Sequence, residues 1–343
     1  MTANGGGGRG YLLAADVGGT KTAIALALAG PQPQILAQQV YPSQGYPSLQ
    51  SIVVEFLENA RAAAPDARLA GACFALAGPA DDHFGTLTNL GWQVEAEALA
   101  RTFRIGRVKL VNDFAAVGRG IEYLRPSDIE TLQPGQPVER GVRLVVGAGT
   151  GLGMCLITWQ GAGYAVHSSE AGHADFAPVD PIQDQLLLHL RREFGRVSYE
   201  RVVSGPGLAR IYTFLQASGS GTGSKELHEA FQERGGGGEV IAEFAISRSE
   251  PVAMRALDIF VTAYGAFAGN MALAALARGG VFLAGGIAPK IAPKLKDGVF
   301  IGAFVNKGRF RGLLSTIPVH VVMTPEIGLC GALLEANRLA AQV

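Results

Sequence analysis

The sequence predicts an α/β protein of two domains, and three observations carry that expectation. The chain has 343 residues, of which 48% are apolar and 17% charged, more than one compact core holds and enough to bury two. Short apolar runs that end in glycine alternate with segments of helical period, the pattern of covered sheets. Two segments, one starting near Tyr11 and one near Val142, share a plan of strand, glycine turn and strand, as a duplicated unit would.

Taken in order, Met1 to Gly10 (MTANGGGGRG) has no apolar pattern and reads as a mobile leader without chemistry. Tyr11 to Val17 reads as a buried strand running into Gly18-Gly19-Thr20, and Thr22 to Leu28 as its hairpin partner. Ser48 to Ala64 has helical spacing, with Ile52, Val53, Phe56 and Leu57 on one face. Leu69 to Leu76 and Val108 to Val111 read as strands ending at Gly78-Pro79 and Asn112-Asp113, and Phe114 to Tyr123 as a helix. The character changes around Arg125-Pro126, where a domain boundary is expected. Val142 to Val146 and Met154 to Trp159 form a second hairpin around a glycine string, followed by a helix from Pro181 to Phe194. Ser218 to Gly238, rich in Gly, Ser and charge, reads in part as an exposed insertion. Pro251 to Arg278 is a long helical pattern, Gly280 to Leu283 and Val319 to Met323 are strands, and Leu329 to Ala341 is the last helix.

Composition excludes several classes. Lys plus Arg is 29 and Asp plus Glu is 29, so no general field draws the chain to nucleic acid or to an anionic membrane. Lys307 and Arg309 form one local basic candidate, and a solvated loop explains them better. Cys73, Cys155 and Cys330 are odd in number and far apart, which argues against a disulfide framework or a local zinc knuckle. No basic and apolar signal pattern opens the chain, and the apolar stretch Ala266 to Ala277, broken by Gly269 and Asn270, is too short to span a bilayer. The expectation is a reduced, soluble, cytoplasmic protein.

Three glycine sites carry the chemistry. In Asp16-Val17-Gly18-Gly19-Thr20, residues without Cβ let backbone N–H groups approach phosphate, Thr20 adds a hydroxyl, and Asp16 can hold Mg²⁺ through water. An ordinary hairpin turn explains the same residues. Gly147-Ala148-Gly149-Thr150-Gly151-Leu152-Gly153 contains a GxGxxG-like string, but apolar, strand-like residues follow it where a dinucleotide fold needs a helix, and no Gly-Lys-Ser/Thr is present. A β-hairpin phosphate loop fits it better. Ala284-Gly285-Gly286-Ile287 follows a strand and leaves a flat backbone for adenine or ribose, though a helix-entry turn needs no more.

In this order the three sites resemble the phosphate 1, phosphate 2 and adenosine motifs of the sugar kinase/actin/heat-shock ATPase superfamily. Leu110-Val111-Asn112-Asp113-Phe114-Ala115-Ala116, Glu170-Ala171-Gly172-His173-Ala174-Asp175-Phe176, Gly308-Arg309-Phe310 and above all ERVVSGPGL (Glu200 to Leu208) resemble the bacterial glucokinases, over nearly the whole of Tyr11 to Leu339. The resemblance implies the two-domain actin-like ATPase fold, related to ribonuclease H, with an interdomain cleft. The small domain would hold 11–123 plus 328–343 and the large one 124–327. It implies ATP-dependent phosphorylation of D-glucose at its 6-hydroxyl, Mg²⁺ with the nucleotide, and a homodimer. Asp113 maps to the catalytic base, and Asn89, Asn112, Glu170, His173 and Glu200 to contacts of the remaining hydroxyls. Nucleotide contacts map to Asp16, Gly18, Gly19, Thr20, Gly147, Gly149, Thr150, Gly151, Gly285 and Gly286.

A neutral polyol needs such a mix of donors and acceptors, with none left unpaired. Singly, each residue has a plainer role. Asn112-Asp113 suits a helix cap, His173 a structural histidine, and Glu200 a surface pair with Arg201 or Arg196. Two departures stand out. Lys21 occupies a position where many such kinases have asparagine; it reaches a phosphate or is solvated. No cysteines follow Gly172-His173, so the zinc ligands of the repressor/open-reading-frame/kinase relatives are missing, which favours the zinc-free branch. A kinase for another hexose and a non-catalytic sugar sensor are the alternatives, the second opposed by the presence of Asp113 and by the lack of a helix-turn-helix before Tyr11.

Overall fold

The structure, a computed structural model, describes residues 10–62, 68–87 and 89–342. Residues 1–9 of the expected leader, Thr88 and the end of the helix expected to reach Ala64 lie outside the described residues. The described chain divides into two compact units, one of residues up to Leu124 together with those from Glu326, the other Arg125–Pro325.

The first unit is built on strands β1 (Tyr11–Val17), β2 (Lys21–Leu28), β3 (Gln34–Pro42), β4 (Leu69–Leu76) and β7 (Val108–Asn112), in the order β3-β2-β1-β4-β7. β5 (Phe84–Leu87) and β6 (Trp92–Glu95) make a separate hairpin; helices α1 (Leu49–Ala60), α2 (Ala96–Phe103) and α3 (Asp113–Gly120) complete the segment. β1 and β2 are antiparallel, while β1, β4 and β7 run parallel. Side chains alternate along β1. Leu13, Ala15 and Val17 join the core under α1 with Ile52, Val53 and Phe56, whereas Leu12 and Ala14 face the chain's last helix. Burying one such large apolar side chain stabilises by about 1.5–3 kcal/mol, so two covered faces explain the unbroken apolar runs.

The second unit contains β8 (Ile129–Gln133), β9 (Arg143–Ala148), β10 (Leu152–Trp159), β11 (Tyr164–Ser169), β12 (Gly280–Ala284) and β13 (Val319–Val322), ordered β11-β10-β9-β12-β13-β8. Its helices are α4 (Pro181–Phe194), α5 (Gly205–Ala217), α6 (Lys225–Glu233), α7 (Gly238–Ser247), α8 (Pro251–Ala275), α9 (Ala292–Leu295), α10 (Val299–Val305) and α11 (Arg311–Ser315). Apart from the added β8, both sheets have the same arrangement: an antiparallel meander of three strands, then two parallel strands. α8 starts at Pro251, with the Glu250 carboxylate accepting from Ala253 N–H at 2.9 Å. It is long and apolar enough to cross a membrane, contrary to the shorter stretch expected. However, 72% of its most apolar window is buried, and α5, α7 and α10 pack against it as on a core helix.

The last helix, α12 (Ile327–Ala340), returns to the first unit and covers β1 and β4. It packs tightly on α3: a Cβ on Gly331 would lie 1.7 Å from the Ala116 carbonyl oxygen, so only glycine fits.

The Ser218 to Gly238 segment is exposed in part, as expected, but it also contains α6, whose Leu227 is fully buried. One local expectation needs correction. Lys307 is not a solvated loop residue. Its Nζ donates to the Ala266 carbonyl at 3.0 Å, and burial holds its pKa below the usual lysine range.

Candidate active site

Hydrogen-bond register lines up the candidate residues of the first unit. Val17 pairs with Leu76, and Leu76 with Asn112, so the glycine turn after β1 and the Asn112-Asp113 pair leave the sheet on one edge. This is the carboxyl edge of parallel strands, where ligands of open α/β sheets bind.

The turn after β1 is tightly tied. Gly18 N–H donates to the Lys21 carbonyl at 3.0 Å, which spends that donor on the hairpin and leaves Gly19 and Thr20 at the apex. Ser43, fully buried, donates its Oγ proton to the Gly18 carbonyl (2.7 Å), and its N–H donates to the Thr20 carbonyl (3.0 Å). Its Oγ also lies 3.0 Å from Thr22 Oγ1. Sequence reasoning missed Ser43. The one available signal was Thr22, a polar side chain in an apolar strand that needs a partner once buried. Asn89 lies beside the same turn, its Cβ 3.2 Å from where a Cβ on Gly19 would stand.

Asp16 packs against the start of α12: a Cβ on Gly328 would be 2.5 Å from Asp16 Oδ2. Burial pushes its carboxyl above the usual carboxylate range, and the charge of Lys21 draws it back. A lone, partly enclosed carboxylate fits a Mg²⁺ ion that keeps most of its water.

Asn112 caps a helix, a role that uses Oδ1 and one of its two Nδ2 protons. Its Oδ1 accepts from Phe114 N–H (2.9 Å) and Ala115 N–H (3.3 Å) as the cap of α3, and its Nδ2 donates to the Gly78 carbonyl at 3.2 Å. Asp113 opens the helix, with Oδ1 2.8 Å from Phe114 N, where the helix dipole favours negative charge. Asn112 thereby fixes the direction in which Asp113 leaves the sheet.

In the second unit, the turn 149–151 joins β9 to β10. Gly147 lies in the ladder rather than in this turn, buried between Gly153 and Ala284, while Gly149, Thr150 and Gly151 form the turn itself. Gly205 N–H, at the start of α5, donates to the Gly149 carbonyl at 2.8 Å. Gly285 has φ +82°, and a Cβ there would meet the Ala148 carbonyl oxygen at 2.7 Å. The third glycine site therefore abuts the second, with the face of Gly286 open.

Glu170, His173 and Glu200 come together beside the same turn. His173 Nε2 is 3.9 Å from Glu170 Oε2, and His173 Nδ1 is 3.9 Å from Glu200 Oε1. Glu200 Oε2 accepts from Leu152 N–H at 3.0 Å. Gly172 presses on the hairpin so closely that a Cβ would fall 1.9 Å from the Leu152 carbonyl oxygen. The surface pairing of Glu200 with arginine does not occur: Arg196 pairs with Asp175 and the His173 carbonyl, and Arg201 stacks on Phe194. Two acceptors flanking an imidazole, with side chains 77%, 54% and 30% exposed from Glu170 to His173 to Glu200, can meet adjacent hydroxyls of a polyol.

A family model described as Glucokinase matches residues 13–339. The chain belongs to the glucokinase family. A glucokinase of Synechocystis sp. is 42% identical over 340 residues, covering 93% of this chain and 96% of that one. The crystal structure of a glucokinase from an Antarctic psychrotroph superposes with a TM-score of 0.81 at 32% identity, over 96% of this chain and 99% of that one. A glucokinase from Balamuthia mandrillaris, solved in complex with glucose, has a TM-score of 0.78 at 21% identity, over 97% and 95% of the two chains. The paired sheets of this glucokinase-family chain are those of the actin-like ATPase fold.

Proposed function

We propose that the chain transfers the γ-phosphoryl group of ATP to the 6-hydroxyl of D-glucose, giving glucose 6-phosphate and ADP. The observation that carries this reading, within the glucokinase family, is Asp113: a carboxylate at a helix start, on the sheet edge that also carries the glycine turn after β1. Asp113 accepts the 6-hydroxyl proton as that oxygen attacks the γ-phosphorus and the bond to the ADP oxygen breaks. Glu170, His173 and Glu200 hold hydroxyls and set which oxygen faces phosphorus; Asn89 and Asn112 are the further proposed contacts. The proposed nucleotide contacts are Gly19, Thr20, Gly149, Thr150, Gly151, Gly285 and Gly286. Asp16 would hold Mg²⁺ through water, and the ion bound with the nucleotide would supply positive charge that offsets the phosphates.

A coupled assay of the purified protein with ATP, Mg²⁺ and a panel of glucose, mannose and fructose tests this. Glucose is expected to give the highest kcat/KM. Preference for another hexose would change the substrate, and absence of any sugar-dependent ADP release would overturn the reading.

A further inference from the structure

Glu200 has two separate engagements. Oε2 accepts the Leu152 N–H at 3.0 Å and stands 2.6 Å from where a Cβ on Gly151 would project. Oε1 faces His173 Nδ1 across 3.9 Å, a gap too long for a hydrogen bond and one that a hydroxyl could bridge. The backbone doubles the tie. The Glu200 carbonyl accepts from Ser204 Oγ at 2.7 Å, Ser204 caps α5, and the next residue, Gly205, donates to the Gly149 carbonyl at 2.8 Å. Glu200 is thus fastened at both ends to the turn whose N–H groups are read above as phosphate donors. Its remaining oxygen faces the polyol-binding side.

From this we infer that Glu200 is a positioning residue for the 149–151 turn, through which a bound sugar tightens nucleotide binding. The inference rests on reading His173 and Glu200 as sugar contacts and the turn as a phosphate site. A hydroxyl held between Oε1 and His173 removes the freedom of the Glu200 side chain. The oxygen on Leu152 N–H is then fixed, and the turn is ordered before nucleotide arrives. Linkage makes the effect reciprocal: nucleotide tightens sugar by the same factor. Gly151 must lack a side chain for the same reason, since a methyl group there displaces Oε2.

Calorimetric titration of ADP, with and without saturating glucose, tests the inference on the intact protein and its variants. Wild-type protein should bind ADP more tightly with glucose present. Glu200→Ala should weaken ADP binding without glucose by about tenfold, the worth of one charge-assisted hydrogen bond, and reduce the coupling factor to near one. Gly151→Ala should weaken glucose binding in the wild type but add nothing in the Glu200→Ala background. Glu200→Gln keeps an acceptor for Leu152 N–H and should fall between wild type and Glu200→Ala, which serves if the alanine variant melts early. Wild-type protein that binds both ligands with a coupling factor of one, or single effects of Gly151→Ala and Glu200→Ala on glucose that simply multiply, would overturn this inference alone. Wild-type protein that binds no glucose would overturn the functional reading together with it.

Discussion

The two glycine turns sit at equivalent places in sheets of equivalent order, yet they are held differently. The turn after β1 is closed by its own backbone and by a neutral, fully buried hydroxyl, Ser43, while Thr22 satisfies that hydroxyl from below. The turn after β9 is held by the partly buried carboxylate of Glu200, which also faces His173. A buried neutral clamp has one state, so the first turn is preset. A charged clamp whose other oxygen is open to a ligand has at least two. The same hairpin plan thus occurs twice with different tethers, and in the proposed reading those tethers decide whether each phosphate turn is fixed or responsive. The proposed base lies in the first unit, and most of the proposed polyol contacts in the second.

That division should separate kcat from KM. Asp113→Asn is expected to lower kcat by about 10²- to 10⁴-fold, the usual range for a general base, with glucose KM little changed. Steady-state kinetics checks this, and a near-normal kcat would remove Asp113 from the mechanism. Glu170→Ala and His173→Ala should instead raise glucose KM by about tenfold, because each loses a hydrogen bond to a hydroxyl, and leave KM for ATP nearly unchanged. Damage confined to ATP would place these two residues at the nucleotide.

Ser43→Ala probes the preset clamp. Losing a neutral buried hydrogen bond costs about 0.5–1.5 kcal/mol, so KM for ATP should rise about two- to tenfold, while glucose KM and the sugar–nucleotide coupling stay as in the wild type. If Ser43→Ala also abolished the coupling, the contrast between a fixed and a responsive turn would fail.

What the sequence revealed of all this follows from where each residue lies. β1, β4, β9 and β12 read as strands because both faces of each central strand are covered, which writes a continuous apolar run. β3, β8 and β11 were not legible. Each lies at a sheet edge, where polar residues such as Gln38 and Gln39 are admitted and the run is broken. α5 was hidden by Gly205-Pro206-Gly207, although Ser204 before Pro206 is a readable start signal. At the site, glycine turns and the Asn112-Asp113 pair announce themselves locally. The partners that hold them do not: Ser43 is 25 residues from Gly18, and Glu200 is 48 from Leu152. The fold alone makes those neighbours.

The smallest functional effect, and a different kind of test, comes from a buried charge in the first unit. Glu335 on α12 is 5% exposed, with Arg338 at 2.7 Å, Lys109 at 3.1 Å and Arg119 at 3.6 Å. Burial alone would raise its carboxyl, but the Arg338 hydrogen bond and the Lys109 charge outweigh that and hold it below the usual glutamate range. A depressed carboxylate stabilises the fold fully above its unfolded pKa, near 4.5, and loses that contribution as pH falls through the folded value. Glu335→Gln should therefore cost about 1–3 kcal/mol at pH 7, because three cations lose their shared anion, and the gap to wild type should narrow below pH 4.5. Urea unfolding at stepped pH measures it. Because Glu335 is assigned no contact with sugar, nucleotide or either turn, both KM values and kcat should stay at wild-type levels wherever the variant is folded. A variant that is equally stable but catalytically impaired would show that α12 carries more than structure, and would return attention to Asp16, which packs on the first turn of that helix.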